Sequence, residues 1–268
     1  MIRYLGIFFL FSSPFLNAQI GIGSLTGARG SGMGEATVAL EGMDAIFNNP
    51  AGLIGVEKKA VILASEWRFG VKDLRPIALA FVVPSASGVL GFSINHFSLE
   101  TYREDRLSVS FAKKFTTQFN VGIRLNYTRL IVSEFGAANV LGFDIGFNYL
   151  IIKDLRIAFH LHNPVSTKIT EFESTPSVFS LGMTHWVNKA VLTSLEITKN
   201  IAFPASIKFG LEYHPTEVLY LRCGFATAPS KYSFGFGYAL TSQFKMDMAL
   251  SNHSLLGLTP ALNMSYEF

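Results

Sequence analysis

From Ala60 to Phe268 the chain alternates apolar and polar residues with a period of two, in runs broken at regular intervals. Successive side chains of a strand point to opposite faces, so runs of this kind are half-buried strands and not helices. Phe119, Val121, Ile123, Leu125 and Tyr127 fall on one face of such a run, and Asn120, Gly122, Arg124, Asn126 and Thr128 on the other. In the next run Leu141, Phe143, Ile145, Phe147 and Tyr149 oppose Gly142, Asp144, Gly146 and Asn148. The stretches 207–213 and 232–238 repeat the pattern. About fourteen such runs are expected, each near the roughly 9–11 residues that cross a bilayer at a tilt.

The connections carry a second signal. Taken in order, the odd-numbered ones are the longer, at 70–74, 98–104, 130–138, 163–175 and 199–203, with Ala228-Pro229 as an exception. The even-numbered ones are tight, as at Thr116-Thr117, Ile151-Ile152 and Pro215-Thr216. Membrane barrels show this asymmetry, with short periplasmic turns and longer outer loops. A secreted soluble β domain is the competing class, and it has no reason to alternate loop lengths. Composition agrees with the barrel: 49% of residues are hydrophobic and 15% charged, against about 25% charged in soluble domains. Beyond the N-terminus no run of about 18 apolar residues appears, which argues against spanning helices. The formal charge of +3 is too small and dispersed for nucleic acid, and the single Cys223 excludes a disulfide framework.

Register places the charges. With the greasy face toward lipid, Arg106, Arg124, Asp144, Arg156, Glu196, Lys208, Glu212 and Arg222 point into the lumen, as do Glu66, Arg68, Lys245 and Asp247. Facing lipid, such a charge would cost about 2–4 kcal/mol near the midplane. A slip of one residue would turn every one of them outward.

Both ends of the chain carry address signals. Residues 1–18 read as a signal peptide: Arg3 is basic, Tyr4–Phe11 is a short apolar core, and Ala18 is a small residue at the cleavage point. Leu262, Met264, Tyr266 and Phe268 alternate to a terminal aromatic. That ending is expected to act as the signal that the outer-membrane barrel assembly machinery reads. The expected organisation is a signal peptide over 1–18, a hatch segment over 19–59, and a transmembrane antiparallel β-barrel over 60–268. Its surroundings would be the lipid of a Gram-negative outer membrane.

The segment before the barrel does not alternate. It is rich in glycine, with one short helix expected near 33–40, and it has about forty residues to place, for which the lumen is the natural site. A phosphate-binding reading of the glycines fails, because no strand precedes them and no Gly-Lys-Ser/Thr ends the run. Pro50 fixes its own φ and biases Asn49 toward an extended conformation. Asn48, Asn49 and Pro50 are expected at the inner wall.

The residues Gly27-Ala28-Arg29, Met33-Gly34, Asp44 and above all Asn48-Asn49-Pro50-Ala51-Gly52-Leu53 resemble the N-terminal signature of the PorV/PorQ proteins of Bacteroidota-type bacteria. That family is similar to the wider FadL-like group of outer-membrane barrels. The resemblance implies fourteen strands and an N-terminal hatch. Its PorV/PorQ side implies a partner in type IX secretion, contacting secretion components or exported cargo proteins. Its FadL-like side implies diffusion of a hydrophobic small molecule. The secretion role is the leading expectation, because a charged lumen and short outer loops offer an apolar solute little. No nucleophile constellation, metal-ligand spacing or cofactor motif stands out, so neither an enzyme nor a cofactor is expected. His160 and His162 share a strand face but are more simply solvated lumen histidines.

Overall fold

The computed structural model describes residues 25–165 and 175–268. The expected signal peptide lies outside them, as does most of the expected loop at 163–175. Among the described residues, strands form one closed antiparallel barrel. In chain order they are β1 (Ala60–Glu66), β2 (Ile77–Ser85), β3 (Gly88–Leu99), β4 (Tyr102–Lys114), β5 (Phe119–Val132), β6 (Gly136–Ile152) and β7 (Leu155–His162). There follow β8 (Val178–Asn188), β9 (Val191–Asn200), β10 (Ser206–Tyr213), β11 (Leu219–Thr227), β12 (Ser230–Ala239), β13 (Phe244–His253) and β14 (Gly257–Glu267). Every strand pairs with its sequence neighbours. The ring closes where β1 meets β14, from Ala60 opposite Glu267 to Glu66 opposite Ala261. Closure leaves no open sheet edge around the ring, a requirement for backbone that crosses hydrocarbon.

The period-two pattern sets which face each residue takes. Leu125 is 63% exposed and Phe234 68%, while Asp144 and Asn148 are 0% and 1%. A soluble β domain would bury the first two. Here the large apolar residues form the outer belt and the polar ones turn inward.

Two expected outer loops are largely strand. β3 runs on to Leu99 and β4 begins at Tyr102; β5 runs to Val132 and β6 begins at Gly136. His96, Ser98, Arg103 and Asp105 interrupt the apolar alternation there, which is why these stretches read as loop. Ladder hydrogen bonding continues across them, with His96 opposite Asp105 and Ser98 opposite Arg103. β1 is shorter than expected and stops at Glu66. Arg68 sits in a one-turn 3-10 helix, Arg68–Gly70, where Phe69 at φ 58° leaves the extended conformation.

The segment ahead of β1 lies inside the ring. Helix α1 (Gly27–Gly32) rests against β11, β12, β13, β14 and β1, and the 3-10 turn Pro50–Gly55 against β3, β4, β5 and β6. The helix expected near 33–40 is instead this earlier one. Gly34 and Glu35 have φ of 64° and 62°, and two left-handed residues in succession end the helix. That turn presses the backbone against the wall: a Cβ on Gly224 would stand 2.3 Å from the Gly34 nitrogen.

Candidate functional site

Among the described residues, the polar faces of the strands and the N-terminal segment meet in the lumen. Its inner wall has two characters. Along β1–β4 it is apolar, with Ile62, Ala80, Val82, Val89 and Ala112 packed on Ile46, Leu53 and Val56 of the segment. Leu25 packs beside them on Ala64 and Ala78, and Phe47 touches both clusters. Burying side chains such as Leu53 and Ile46 contributes about 1.5–3 kcal/mol each. The alternation already puts Ala64, Ala78 and Ala80 on the inner face. The apolar inner strip departs from the expectation of a lumen lined by polar and charged residues.

From the hairpin end of β4 round to β13 the wall is charged, and among the described residues these charges are partnered. Arg29 of α1 donates from Nε and Nη2 to the two oxygens of Glu212, both at 2.9 Å, and from Nη1 to the Glu41 carbonyl at 3.1 Å. Glu212 also accepts from Arg222 at 2.5 Å, and Arg222 donates onward to Asp247 at 2.6 Å. Arg124 donates to Asp144 at 2.6 Å and to the Ile46 carbonyl at 2.7 Å. His162 meets the other Asp144 oxygen at 2.7 Å. Glu196 accepts the backbone N–H groups of Thr37 and Val38 at 2.7 and 2.8 Å, and the Lys208 ammonium at 3.1 Å. Arg156 pairs with Glu41 of the segment at 2.7 Å. Arg106 differs, pairing with Glu104 of its own strand at 3.0 Å.

Four of these lumen charges, Arg124, Arg156, Glu196 and Glu212, hold the segment directly, and Asp144, Lys208 and Arg222 brace them from the wall. Removing one partner from a buried pair of this kind typically costs about 3–5 kcal/mol. Sequence reading missed Glu35, Glu41 and Glu104 as partners. Glu104 shares the parity of Arg106, which would have revealed it had 98–104 been read as strand. Lys231 on β12 faces Glu35 and holds its carboxyl down to about 2. Asp44 is pushed up by burial, with Asp247 nearby adding to the shift.

The Asn48–Leu53 motif has an internal explanation. Asn49 is extended, at φ −82° and ψ 114°, and its side chain accepts from the Ala51 N–H at 3.0 Å, capping the turn that Pro50 opens. Its amide donates to the Val38 carbonyl at 2.8 Å and to Asn148 of β6 at 3.0 Å. Asn49 and Ala51 lie so close to the wall that only glycine fits opposite. A Cβ on Gly146 would stand 1.8 Å from the Asn49 oxygen, and one on Gly122 2.2 Å from the Ala51 nitrogen. Asn48 turns the other way, donating to the Thr26 and Asp44 carbonyls at 3.1 and 2.9 Å. Met33 is fully buried against Leu40 and Leu192. Asp44 accepts from Asn263 of β14 at 3.1 Å. At the C-terminus Phe268 packs edge-on against Tyr266, with ring centroids 5.1 Å apart, on the outer face that Met264 shares.

The segment divides the lumen. On the side of the long hairpins it leaves a cavity of 360 Å³ bordered by Leu25, Ile46, Phe47, Arg124, His160 and Lys208 among others. On the side of the chain termini it leaves one of 380 Å³ where Met43 and Val56 meet a largely charged lining that includes Arg29, Asp44, Lys245 and Asp247.

No family model matches the chain, and no curated protein matches it. Solved structures do. The toluene transporter TbuX of Ralstonia pickettii superposes with a TM-score of 0.77 at 15% identity, over 90% of this chain and 98% of that one. The monoaromatic hydrocarbon channel CymD gives 0.73 at 14%, over 94% and 99%. A FadL homologue of Pseudomonas aeruginosa gives 0.68 at 14%, over 90% and 98%. The chain has their fold. It is a closed transmembrane barrel of the outer-membrane type, and identities this low carry the likeness no further than architecture.

Proposed function

We propose that the protein lets small hydrophobic molecules cross the outer membrane, with residues 27–53 as the hatch and both chain termini on the periplasmic side. One observation carries this. Leu25, Ile46 and Phe47 border the cavity at the hairpin end, while Met43 and Val56 border the cavity at the terminal end. All five belong to the same apolar contact between the segment and β1–β4. A continuous apolar seam therefore joins the two cavities. A small withdrawal of the segment from β1–β4 would open an apolar path at the cost of the Arg124 bond to the Ile46 carbonyl. Arg29–Glu212 and Arg156–Glu41 lie on the opposite wall. Among the described residues the lumen charges listed above are each paired. The toluene transporters and the monoaromatic hydrocarbon channel among the solved neighbours support the same reading.

The secretion role implied by the PorV/PorQ resemblance gains no support from those neighbours. The Asn48–Leu53 motif is also accounted for by its capping and packing inside the barrel. The test compares cells with and without the protein for accumulation of labelled toluene and for export of surface proteins. Loss of the protein should slow toluene uptake and leave export unchanged. Normal uptake with exported proteins stranded in the periplasm would replace this reading with the secretion role.

A further inference from the structure

The outer wall over β3–β6 changes polarity within one step of the strands. Phe92, Val109, Leu125 and Phe143 form one outward row in register, wholly apolar. The next row toward the hairpin end is Ile94, Leu107, Tyr127 and Leu141. One step further, roughly 7 Å along the strands, the row becomes His96, Asp105, Arg129 and Asn139, with Arg103 just above. Tyr127 bridges the change, its hydroxyl donating to Asn139 at 2.9 Å. An aromatic residue with its polar tip turned to water marks the membrane interface, so the charged row stands at headgroup level.

Two features single this patch out. The apolar rows are not flush: they line a groove of 850 Å³ that follows them across the outer face, from Leu141 and Phe143 on β6 to Val61 on β1. The charges above it are also unevenly matched. Asp105 accepts from His96 at 2.6 Å and from Arg103 at 2.7 Å. Arg129, opposite Asp105 in register and exposed, makes no hydrogen bond or ion pair among the described residues.

We propose that this is a lipid site: the groove takes an acyl chain, and Arg129 takes the phosphate of the same amphiphile. A guanidinium binds phosphate through paired, charge-assisted hydrogen bonds, and basic residues at the membrane surface select anionic headgroups. The inference concerns the outer face and stands or falls apart from transport through the lumen.

Native mass spectrometry of the full chain in neutral detergent tests it, with phosphatidylglycerol as the probe, phosphatidylcholine as the neutral comparison and inorganic phosphate as competitor. The protein should retain one phosphatidylglycerol at roughly tenfold lower lipid concentration than phosphatidylcholine. Arg129→Gln should erase that preference. Leu125→Trp, which fills the groove from an exposed position, should weaken retention of both lipids. Heat-modifiability on gels confirms that each variant is a folded barrel; should one fail to fold, the headgroup preference of the unaltered protein decides alone. Equal retention of the two lipids overturns the proposal, as does a preference that survives Arg129→Gln. Displacement by phosphate, with Leu125→Trp binding lipid normally, reduces the site to an anion contact and overturns it too.

Discussion

Arg29 of the N-terminal segment grips Glu212 of β10 with two parallel hydrogen bonds of 2.9 Å each, and Glu212 is held in turn by Arg222 at 2.5 Å. This fork ties the helix inside the barrel to its wall at a point where both carboxylate oxygens are buried. Arg29→Ala should free the helix while leaving the wall intact, because Arg222 still neutralises Glu212. Single-channel recordings should show larger and noisier conductance than the unaltered protein. Unchanged conductance would mean that other anchors suffice.

Glycine at the wall is a second control on the segment. Gly146→Val places a branched side chain where the Asn49 oxygen now sits, at a site that real Cβ atoms cannot share. The side chain points into the lumen, so lipid contacts are untouched. The barrel should still insert, and protease should then cleave the chain between residues 27 and 53. Full protection in the variant would show that Asn49 can move aside.

Depth along one strand face should set the cost of a charge. Ile123 and Ile131 both point outward from β5, but Ile123 lies in the apolar belt and Ile131 pairs with Arg103 above the polarity change. Ile123→Arg should cost about 2–4 kcal/mol and Ile131→Arg about 0–1. Urea titration of folded fraction in bilayers measures both. Equal costs would place the belt elsewhere.

The Glu35–Lys231 pair predicts a pH dependence. The carboxyl is depressed from 4.5 to about 2 in the folded protein, chiefly by the Lys231 charge. Its stabilising effect is therefore complete above pH 4.5 and lost as pH falls toward 2. Protection of the segment from protease should exceed that of Glu35→Gln at pH 6, and the two should converge near pH 2. A constant gap across that range would assign the effect to packing.

How much of this was legible in the sequence varies with the physics behind each feature. The fourteen strands could be read because lipid punishes any lapse in alternation, so Phe143, Phe147 and Phe209 had to keep one parity. Above the lipid that pressure vanishes. There His96, Arg103 and Asp105 continue the strand without continuing the pattern, and strand was mistaken for loop. The lumen charges could be listed but not paired, since pairing depends on register and packing between segments far apart in sequence, as for Arg29 and Glu212. The segment's helix was misplaced because the two left-handed residues that end it, Gly34 and Glu35, include a glutamate. Only the close wall of β10 and β11 imposes that conformation.

Helix α1 spans the place where the ring is stitched shut. It touches β12, β13 and β14 on one side of the closing seam and β1 on the other. That seam joins residues 60–66 to 261–267, the pairing most distant in sequence and so the one with the largest loop-closure cost. The helix works there as an inner clasp, and it is part of the same stretch that fills the passage. Under the proposed function, gate and hoop are then one piece of chain. If the proposed passage is the working one, mutations selected only to widen it would also loosen the hoop, and the same contacts would set a limit on bulkier solutes.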